Sequence, residues 1–468
     1  YFISKDKNIF RIDLTTVRSA YTINNIDKGS LKYEIEIECI INDKSKLYDQ
    51  IFNIAEFIIK SIQSSNYIIT NSMNTKILNK YRELLNVDAN RQNLYGRQPV
   101  SLEVQHLVDQ LPNKYAVTDK ADGDRYFMII HETRCYLIST NLIVKDTGIN
   151  VSKDYNNTII DGEYIYITKH NKYIYMAFDC ILYRNTSVYD ENKFLKRLEY
   201  LDDVINEINK LNYKLKTTEK ININNINEVL SIHKSNIKTI YDDLDVVLKE
   251  KSTTTIFRRK YFMECLGIYD NEIYKYTNEM WNLYTNDKNI KCPYHLDGLI
   301  YHPLEQKYVV ELDKSKFSEY KWKPPTQNSI DFYIEFERDK STNKITAVYD
   351  NSTDDNIKNK PYYICNLYVG QNLKGVEKPI LFKETDGLYQ CYIYLDENGI
   401  ARSLDGKQII DKTVVEFYYD MTIDAISPRK WSAMKTRFDK TEAVLKYQKR
   451  YGNYSDTANK IWNSIINP

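Results

Sequence analysis

The sequence KADGDR at residues 120–125 places a lysine at the end of an apolar strand pattern, where the chain enters a turn. A lysine is a nucleophile only when its amine is neutral, and with a reference pKa near ~10.4 only about one amine in a few thousand is neutral at pH 7. A neighbouring cation or a bound metal lowers that pKa. Gly123 permits the tight turn, and Arg125 is placed to hold a sugar hydroxyl or a phosphate. Lys120 is therefore a candidate nucleophile, although a KxDG pattern alone is just as typical of a surface turn.

Five further short motifs follow this one along the chain. They are DGE at 161–163, FD at 178–179, DGLI at 297–300, KWKP at 321–324 and KTRFDK at 435–440. Each has a plain structural interpretation, because an Asp-Gly pair is most often a hairpin turn and a basic run is most often the solvated face of a helix. Coincidence does not account for the ordered series as a whole, and it is the series that predicts a function.

The residue types in these motifs suit phosphate chemistry. The carboxylates of Glu163 and Asp297 suit a hard cation such as Mg²⁺ or Mn²⁺, which neutralises a phosphate under attack. Lys321 and Lys323 alternate along a predicted strand, so they are expected to face the same way, towards phosphate oxygens. Cations at these two positions would also favour the neutral form of Lys120.

The series resembles the covalent nucleotidyltransferase superfamily, which contains mRNA-capping guanylyltransferases and ATP-dependent ligases, over roughly residues 98–445. Capping enzymes typically have KWKP and DGLI, whereas DNA ligases usually have a lysine-rich fifth motif without Trp and Pro, and RNA ligases usually lack the last motif. Lys435 departs from the arginine of many relatives, and it keeps the charge but loses bidentate phosphate geometry. The resemblance favours a guanylyltransferase, with a polynucleotide ligase and a non-catalytic RNA-binding subunit as the alternatives.

The resemblance also implies a role for each matching residue. Lys120 would attack the α-phosphorus of GTP and carry GMP, which the 5′-diphosphate end of an RNA would then accept. The divalent ion, Mg²⁺ or Mn²⁺, would lie at Glu163 and Asp297. The other implied GTP contacts are Arg125 and Glu163 at the ribose, Ile300 at the base opposite an unassigned aromatic side chain, Lys321 and Lys323 at the α-phosphate, Asp179 in support of those lysines or the metal, and Arg437, Asp439 and Lys440 over the β- and γ-phosphates.

A separate acidic pattern, KYEIEIECI, lies near the N-terminus. Glu34, Glu36 and Glu38 share one face of a predicted strand, because successive side chains alternate. Three carboxylates on one face repel each other unless they are solvated or bridged by a divalent cation. The pattern resembles the ExExE strand of metal-dependent RNA triphosphatases, and an exposed acidic strand edge is the alternative. No second glutamate-bearing strand precedes it in residues 1–33, so only the C-terminal part of such a domain is expected.

Hydrophobic periodicity predicts an α+β protein that positions these motifs. Strands are expected over 8–40, helices from there to about residue 85, a polar linker over 86–101, short strands over 114–183, helices over 190–250, and strands over 256–325 and 330–420. The resemblance implies the C-terminal part of an RNA triphosphatase-like domain at 1–95, an antiparallel-sheet nucleotidyltransferase domain at 96–327 with a helical insertion at about 190–250, an OB-fold β-barrel lid at 328–440 and a C-terminal helical segment at 441–468.

The composition sets wider limits. Lys and Arg total 65 against 64 for Asp and Glu, so any basic nucleic-acid surface has to be local. The seven cysteines are far apart in the sequence, which argues against a zinc site or a disulfide framework. No run approaches the ~18 apolar residues of a membrane span, so no membrane association is expected. The first residues have neither an initiator Met nor a signal-peptide pattern, so we expect the chain to begin inside a longer polypeptide.

A triphosphatase segment fused to a guanylyltransferase is typical of the multifunctional capping enzymes of large cytoplasmic DNA viruses. The expected location is therefore the cytoplasm, in a viral factory or a virion. The expected partners are GTP, the RNA 5′ end and the viral transcription machinery. Such enzymes usually continue into a guanine-N7 methyltransferase, and this sequence has no glycine-rich cofactor loop, so that module is expected as a partner outside it.

Overall fold

The computed structural model of the protein consists of two compact units. The larger unit comprises residues 2–11 and 37–322, and the smaller unit comprises residues 12–36 and 323–468. The structure describes residues 2–5, 8–22, 30–40, 47–63, 65–91, 93–109, 111, 114–210, 225–250, 255–267, 269, 271–287, 290, 292–310, 317–324, 328–353, 357–383, 389–423 and 427–466.

The first elements follow the sequence prediction of strands and then helices. They are β1 Phe2–Lys5, β2 Asn8–Ser19 and β3 Ser30–Cys39, which form a sheet in that order, and then α1 Leu47–Gln63 and α2 Asn71–Leu85. Helix α2 has well-defined ends. Thr70 caps its first turn by accepting a hydrogen bond from the backbone N–H of Met73, and Asn86 ends it in the left-handed conformation.

The larger unit is built on two sheets. Sheet I has the strand order β13-β5-β14-β15-β4, and sheet II has the order β11-β10-β9-β6-β7-β8 with β12 added beside β10. The strands are β4 Val100–Ser101, β5 Tyr115–Ala121, β6 Asp124–His131, β7 Arg134–Ser139, β8 Val144–Asn150, β9 Thr158–Ile167, β10 Lys172–Tyr183, β11 Thr186–Ser187, β12 Ile256–Arg259, β13 Met263–Glu264, β14 Leu296–Pro303 and β15 Tyr320–Trp322. The helices are α3 Val104–Asp109, α4 Phe194–Asn209, α5 Ile226–Lys249 and α6 Glu272–Thr285. Most strand pairs are antiparallel, as expected, and the pairs β10–β12 and β15–β4 are parallel.

Sheet II is covered on both faces, which explains its long apolar runs. On β6, Met128 and Ile130 pack in a cluster with α4, while Phe127 and Ile129 pack in another cluster with α2. Sheet I packs against α5 and α6. The helices predicted over 190–250 therefore lie where they were expected, and their apolar faces complete the cores of both sheets.

The prediction of strands throughout 256–325 is wrong for α6. The buried residues Ile273, Tyr276, Met280 and Leu283 of that helix recur every three or four positions, which is the helical period. The segment is rich in tyrosine, a residue favoured in strands, and that composition concealed the helical spacing.

The prediction of a linker over 86–101 is also wrong. Leu94 and Arg97 are buried, and the backbone N–H of Tyr95 donates to the hydroxyl of Tyr81 at 2.8 Å. Most of its polar side chains are exposed, but Arg97 pairs with Asp179 and Glu319 inside the larger unit.

Within residues 323–468 of the smaller unit, the strands form an antiparallel sheet in the order β17-β18-β16-β21-β22. Strands β19 and β20 also pair with β18. Its elements are β16 Ser329–Phe336, β17 Val348–Tyr349, β18 Pro361–Leu373, β19 Val376–Leu381, β20 Gln390–Tyr394, β21 Val414–Tyr419, β22 Trp431–Thr436, α7 Phe438–Tyr447 and α8 Ser455–Ile466. Its core includes an aromatic cluster of Phe332, Phe382, Trp431 and Trp462. The strands predicted over 330–420 and the terminal helices are confirmed.

Candidate active site

Lys120 is positioned by an irregularity in sheet I. Strand β14 pairs with β5, but the register shifts between Leu296 and Leu299, so that Asp297 and Gly298 together oppose Lys120. Such a bulge changes the direction in which a side chain points. The Lys120 ammonium forms an ion pair with the Asp297 carboxylate, and the two side chains are 21% and 18% exposed. The sequence-predicted nucleophile and a sequence-predicted metal ligand are therefore in direct contact.

The two glycines of these motifs serve different purposes. Gly298 has a φ of 125°, a conformation that strongly favours glycine. Gly123 was predicted to permit a tight turn, but it does not have a positive φ. A Cβ on it would lie 2.8 Å from Glu163 Cγ and 2.7 Å from Ile165 Cγ1, so glycine is required there for space.

The register of sheet I also decides which residues share a face with the nucleophile. Thr118 opposes Ile300, and Ile300 opposes Lys321. Directly opposed residues point to the same face, and Lys120 shares that face with Thr118 because it lies two positions further along β5. The structure thus brings Lys120, Ile300 and Lys321 to one side of sheet I.

The strand that carries Lys321 is short. It ends at Trp322, whose ring lies edge-on to that of Trp281 with 5.3 Å between centroids. Lys323 lies beyond the strand end, so the predicted strand alternation does not extend to it.

Glu163 is held in place from two sides. Its Oε2 accepts a 2.6 Å hydrogen bond from Lys260 Nζ, and its Oε1 accepts one of 3.3 Å from the backbone N–H of Gly123. Lys260 also lies 3.6 Å from Asp119 Oδ2. Burial by itself would lower the pKa of Lys260, but the carboxylates of Glu163 and Asp119 raise it above its usual value. Lys260 therefore stays charged and holds Glu163 in position through an ion pair.

Arg125 is almost fully engaged by the protein. Its Nε and Nη2 donate to the buried carboxylate of Asp161, Nη2 also donates to the Tyr308 hydroxyl at 3.1 Å, and Nη1 donates to the backbone carbonyl of Arg97. Burial opposes the charge on Arg125, but Asp161 raises the pKa of Arg125 overall. Of the five guanidinium N–H groups, one on Nη1 has no partner among the described residues. The predicted ribose contact has that one donor available.

Asp179 lies in a buried cation cluster. Arg197 donates to both of its oxygens, at 2.8 and 3.1 Å, and Arg97 donates to Oδ2 at 3.2 Å. Arg97 also contacts the ring of His302, which stacks on Phe194 with 3.7 Å between centroids. Burial and then the two arginines hold the pKa of His302 well below its usual value, so this ring is neutral. Because Asp179 has no exposed surface, its predicted support of the site has to pass through Arg97 and Arg197.

Phe178 belongs to the FD motif, of which only Asp179 was assigned a role from the sequence. In the pairing of β10 with β9, Ala177 opposes Gly162 and Asp179 opposes Asp161, so Phe178 is the extra residue of a second bulge. Its half-buried ring lies 5.7 Å from the guanidinium carbon of Arg125.

The last predicted GTP contacts lie together at the start of α7, in the smaller unit. Arg437 Nη1 donates to both oxygens of Asp331, at 3.1 and 3.0 Å, and the ammonium of Lys440 binds the same carboxylate. Asp439 lies on the other side of Arg437, with 3.3 Å between Oδ1 and Nε. One buried carboxylate therefore holds both cations.

The acidic strand of the N-terminal segment is β3, as predicted, and Glu34, Glu36 and Glu38 are exposed on it. Glu38 forms a 2.7 Å ion pair with Arg11. Among the residues that the structure describes, no group of three or more His, Cys, Asp or Glu could hold a metal ion. The triphosphatase-like metal site stays a prediction.

Four residues of the larger-unit site were assigned no role from the sequence. Lys260, Arg97, Asp161 and Tyr308 act through buried pairs that join segments far apart in the chain. Asp161 belongs to the recognised DGE motif, and only its neighbour Glu163 was assigned a role. The other three lie in no motif.

Two family models match the chain. The mRNA capping enzyme catalytic domain matches residues 60–260, and the mRNA capping enzyme C-terminal domain matches residues 327–468. The chain belongs to the mRNA-capping enzyme family. The membership predicted from the ordered motifs is confirmed, and the two matches cover most of both units.

Known relatives include viral capping enzymes. A probable mRNA-capping enzyme of Acanthamoeba polyphaga mimivirus is 38% identical over 479 residues, covering 100% of this chain and 40% of the relative. The mRNA-capping enzyme of African swine fever virus (isolate Pig/Kenya/KEN-50/1950) is 23% identical over 329 residues, covering 68% of this chain and 31% of the relative. The chain thus spans less than half the length of these relatives.

A solved structure of a mycobacterial DNA ligase D complexed with ATP matches with a TM-score of 0.33 and 9% identity, covering 73% of this chain and 93% of that one. A likeness of this size carries no weight for the function. In the described part of the chain, no helix has the length and apolar character needed to cross a membrane.

Proposed function

We propose that this member of the family is an mRNA guanylyltransferase, in which Lys120 takes GMP from GTP and transfers it to the 5′-diphosphate end of an RNA. The observation that carries the proposal is the position of Lys120, which contacts Asp297 across a bulge and shares a sheet face with Ile300 and Lys321. The family membership supplies GTP as the nucleotide and an RNA end as the acceptor.

In the first step Lys120 Nζ forms a bond to the α-phosphorus of GTP, and the bond to the leaving pyrophosphate breaks. The amine must first lose its proton, and Asp297 Oδ2 is the acceptor in contact with it. Lys321, on the same face, is placed to stabilise the charge that develops on the α-phosphate. In the second step an oxygen of the RNA β-phosphate attacks the phosphorus of lysyl-GMP, and Lys120 leaves as the amine.

The site suits a divalent ion that arrives with the nucleotide. Mg²⁺ is usually bound through one or two carboxylates together with substrate phosphates and water, and Asp297 and Glu163 supply such carboxylates. The ion would neutralise charge on the α-phosphate. Glu163 already accepts hydrogen bonds on both oxygens and Asp297 already pairs with Lys120, so the ion, whether Mg²⁺ or Mn²⁺, would have to share oxygens that the protein already uses.

The remaining predicted contacts have distinct parts in this proposal. Ile300 and the half-buried ring of Phe178 are candidates to pack against guanine, while Arg125 and Glu163 orient the ribose. Lys323 adds a second cation for the α-phosphate. In the smaller unit, which we propose to be an OB-fold lid, the contacts to the β- and γ-phosphates come from Arg437, Asp439 and Lys440.

The longer relatives leave room for further activities in the whole protein. We propose that residues 1–95 are the end of an RNA triphosphatase-like domain, and that a guanine-N7 methyltransferase and the viral transcription machinery are partners in the cytoplasm of an infected cell. The exposed glutamates of β3 support the first of these proposals only as a pattern.

Covalent labelling tests the central proposal. The full chain is incubated with α-³²P-GTP or α-³²P-ATP and a divalent metal, without RNA, and resolved on a denaturing gel. We expect a GTP-specific, acid-labile band that is absent from Lys120→Ala and from Lys120→Arg, and present in the control Lys153→Ala, which alters an exposed lysine of a short turn. A band from ATP alone would identify a polynucleotide ligase. No band with either nucleotide from the folded protein would leave a non-catalytic RNA-binding subunit.

A further inference from the structure

A groove with a volume of about 650 Å³ lies in the larger unit, on sheet II. Its lining includes Phe57 and Lys60 of α1, Lys145 of β8, and Tyr164 and Tyr166 of β9. It is on the face of the sheet opposite the nucleotide site, because Glu163 and Tyr164 are consecutive on β9 and consecutive strand residues point to opposite faces. None of the predicted GTP contacts lines it.

The groove contains a ladder of aromatic rings. The rings of Tyr164 and Tyr173 are stacked with 4.4 Å between centroids and 2° between planes, and Tyr166 follows at 4.9 Å from Tyr173. Tyr166 is 45% exposed and Phe57 is 67% exposed. The ladder therefore presents aromatic faces to the groove on which further flat rings can stack.

Lys145 supplies a cation without a matching anion. Its ammonium lies 5.7, 5.2 and 5.7 Å from the ring centroids of Tyr126, Tyr164 and Tyr173. It forms no hydrogen bond or ion pair with any residue that the structure describes. Burial lowers the pKa of Lys145, an effect that Asp124 partly offsets. A partly desolvated ammonium of this kind gains most from an incoming anion.

The charge of the groove is positive. Its lining includes Lys60, Lys145 and Lys172 and one carboxylate, Asp146. Lys60 is paired with Glu56 at 2.7 Å, so the net positive charge comes from Lys145 and Lys172. The Asp146 carboxylate is already bound by Arg134 at 2.8 Å. Cations interleaved with aromatic faces are the arrangement that binds single-stranded nucleic acid with little sequence preference, since every base has a face that stacks and every nucleotide has a phosphate.

We propose that this groove binds the single-stranded body of the RNA whose 5′ end is capped, with bases stacked on Tyr166 and its neighbours and a phosphate at Lys145. The proposal rests on the proposed function, which makes RNA a substrate. Since the groove and the nucleotide site are on opposite faces of one sheet, a transcript has to pass around the sheet to occupy both. Only RNAs beyond about four nucleotides, the lower limit of a typical single-strand site, are expected to gain from the groove.

The test measures RNA binding and GMP labelling separately, on the full chain. The RNA is a 5′-diphosphate single strand of about 20 nucleotides, which exceeds the usual site size of about 4–16 nucleotides. We expect Tyr166→Ala to weaken its binding about tenfold without changing the salt dependence, because a stacking contact releases no counterions. We expect Lys145→Gln to lower the slope of log affinity against log salt by about 0.7, the value of one phosphate contact on a single strand.

Three control variants and two activity measurements make the result decisive. Tyr349→Ala, at an exposed tyrosine of the smaller unit, and Lys153→Gln are expected to bind this RNA as the unaltered protein does. Tyr166→Phe keeps the ring and is expected to bind normally. Capping of a 5′-diphosphate dinucleotide is expected to be unchanged in all variants, as is GMP labelling, which needs no RNA.

Unchanged affinity and salt slope in both groove variants would overturn the proposal, and so would a loss in Tyr166→Phe equal to that in Tyr166→Ala. RNA binding is measured without GTP, so it tests the groove even if labelling shows that the chain is not a guanylyltransferase. Labelling that fails in every variant and in the unaltered protein would refute the proposed function and leave the RNA-binding result standing.

Discussion

The two units hold their predicted GTP-binding cations in different ways. In the larger unit two of these cations have a carboxylate each: Lys120 contacts Asp297, and Arg125 contacts Asp161. In the smaller unit the two cations at the start of α7 share Asp331. The first arrangement fixes each side chain separately, whereas the second holds two cations around one pair of oxygens.

This difference indicates which side chains could contact the nucleotide with the least rearrangement. In the larger unit Arg125 is held by the buried Asp161, so a nucleotide would have to replace only the contact between Lys120 and Asp297. The carboxylate of Asp331 occupies the place between Arg437 and Lys440 that a phosphate would take. If Arg437 and Lys440 contact the β- and γ-phosphates as proposed, the nucleotide has to displace Asp331 from them.

The largest expected effect distinguishes the two carboxylates. Asp297→Asn should slow GMP labelling about 10³-fold, because the residue contacts the proposed nucleophile and is a proposed metal ligand. Asp331→Asn should change the rate less than about tenfold, because it acts before the phosphate arrives. Single-turnover labelling with α-³²P-GTP measures both. Equal losses in the two variants would show that the units do not differ in this way.

The next effect concerns stability. Asp179→Asn leaves Arg197 buried without its countercharge, whereas Arg97 keeps Glu319 at 2.8 Å, and we expect the change to lower the free energy of unfolding by about 3 kcal/mol. Lys440→Ala removes a side chain that is 20% exposed, and we expect a loss below about 1 kcal/mol. Urea unfolding followed by circular dichroism measures both. A loss for Lys440→Ala as large as that for Asp179→Asn would contradict the comparison.

A pH effect should be confined to the larger unit. All six histidines lie between residues 106 and 302, and burial lowers the pKa of His233 from 6.5 to about 4. The unfolded chain therefore takes up a proton at higher pH than the folded one, and stability falls as pH drops from about 6.5 to 4. Between pH 7 and pH 5 we expect His233 alone to cost about 2 kcal/mol.

The control for this pH effect is His233→Gln, which keeps a polar group near the Tyr261 hydroxyl, the partner of His233 at 2.8 Å. Unfolding of the variant should depend less on pH over this interval. An unchanged pH dependence would assign the effect to other groups.

The smallest expected effect compares two glycines. Gly123→Ala forces Glu163 to move and should raise the KM for GTP about tenfold while leaving the fold intact. Gly406 in the smaller unit has a φ of 82° and open space where a Cβ would lie. Gly406→Ala should therefore cost about 1 kcal/mol of stability and leave labelling unchanged. Normal labelling by Gly123→Ala would show that Glu163 tolerates displacement.

From the sequence, the residues proposed to carry out the chemistry of this site were easier to recognise than the residues that hold them in place. Lys120 and Asp297 are recognisable because a nucleophile and its partners recur with fixed local neighbours. Arg97 was assigned to a linker, because a buried arginine and a solvated one look alike in a sequence until the buried carboxylate that pairs with it is known. No role could be assigned to Phe178 of the FD motif, because its position depends on a bulge, and a bulge is a property of two paired strands.

The same reasoning explains the errors in the fold. The strands around Lys120 are short apolar runs next to turns and were predicted, whereas α6 was predicted as strand because its many tyrosines outweighed the helical spacing of its buried residues. The wrong prediction of a linker at 86–101 has the opposite cause. Its polar composition was taken as solvent exposure, while in the structure it supplies Arg97 to a cluster more than 80 residues further along the chain.

The edge-on pair of Trp281 and Trp322 gives the larger unit its own source of intrinsic tryptophan fluorescence. Trp322 directly follows Lys321, so a nucleotide bound at that lysine would change the surroundings of this pair. The other two tryptophans, Trp431 and Trp462, are packed in the core of the smaller unit. Comparing the fluorescence of Trp281→Phe with that of the unaltered protein would therefore isolate the contribution of Trp281, in the larger unit, without an added dye.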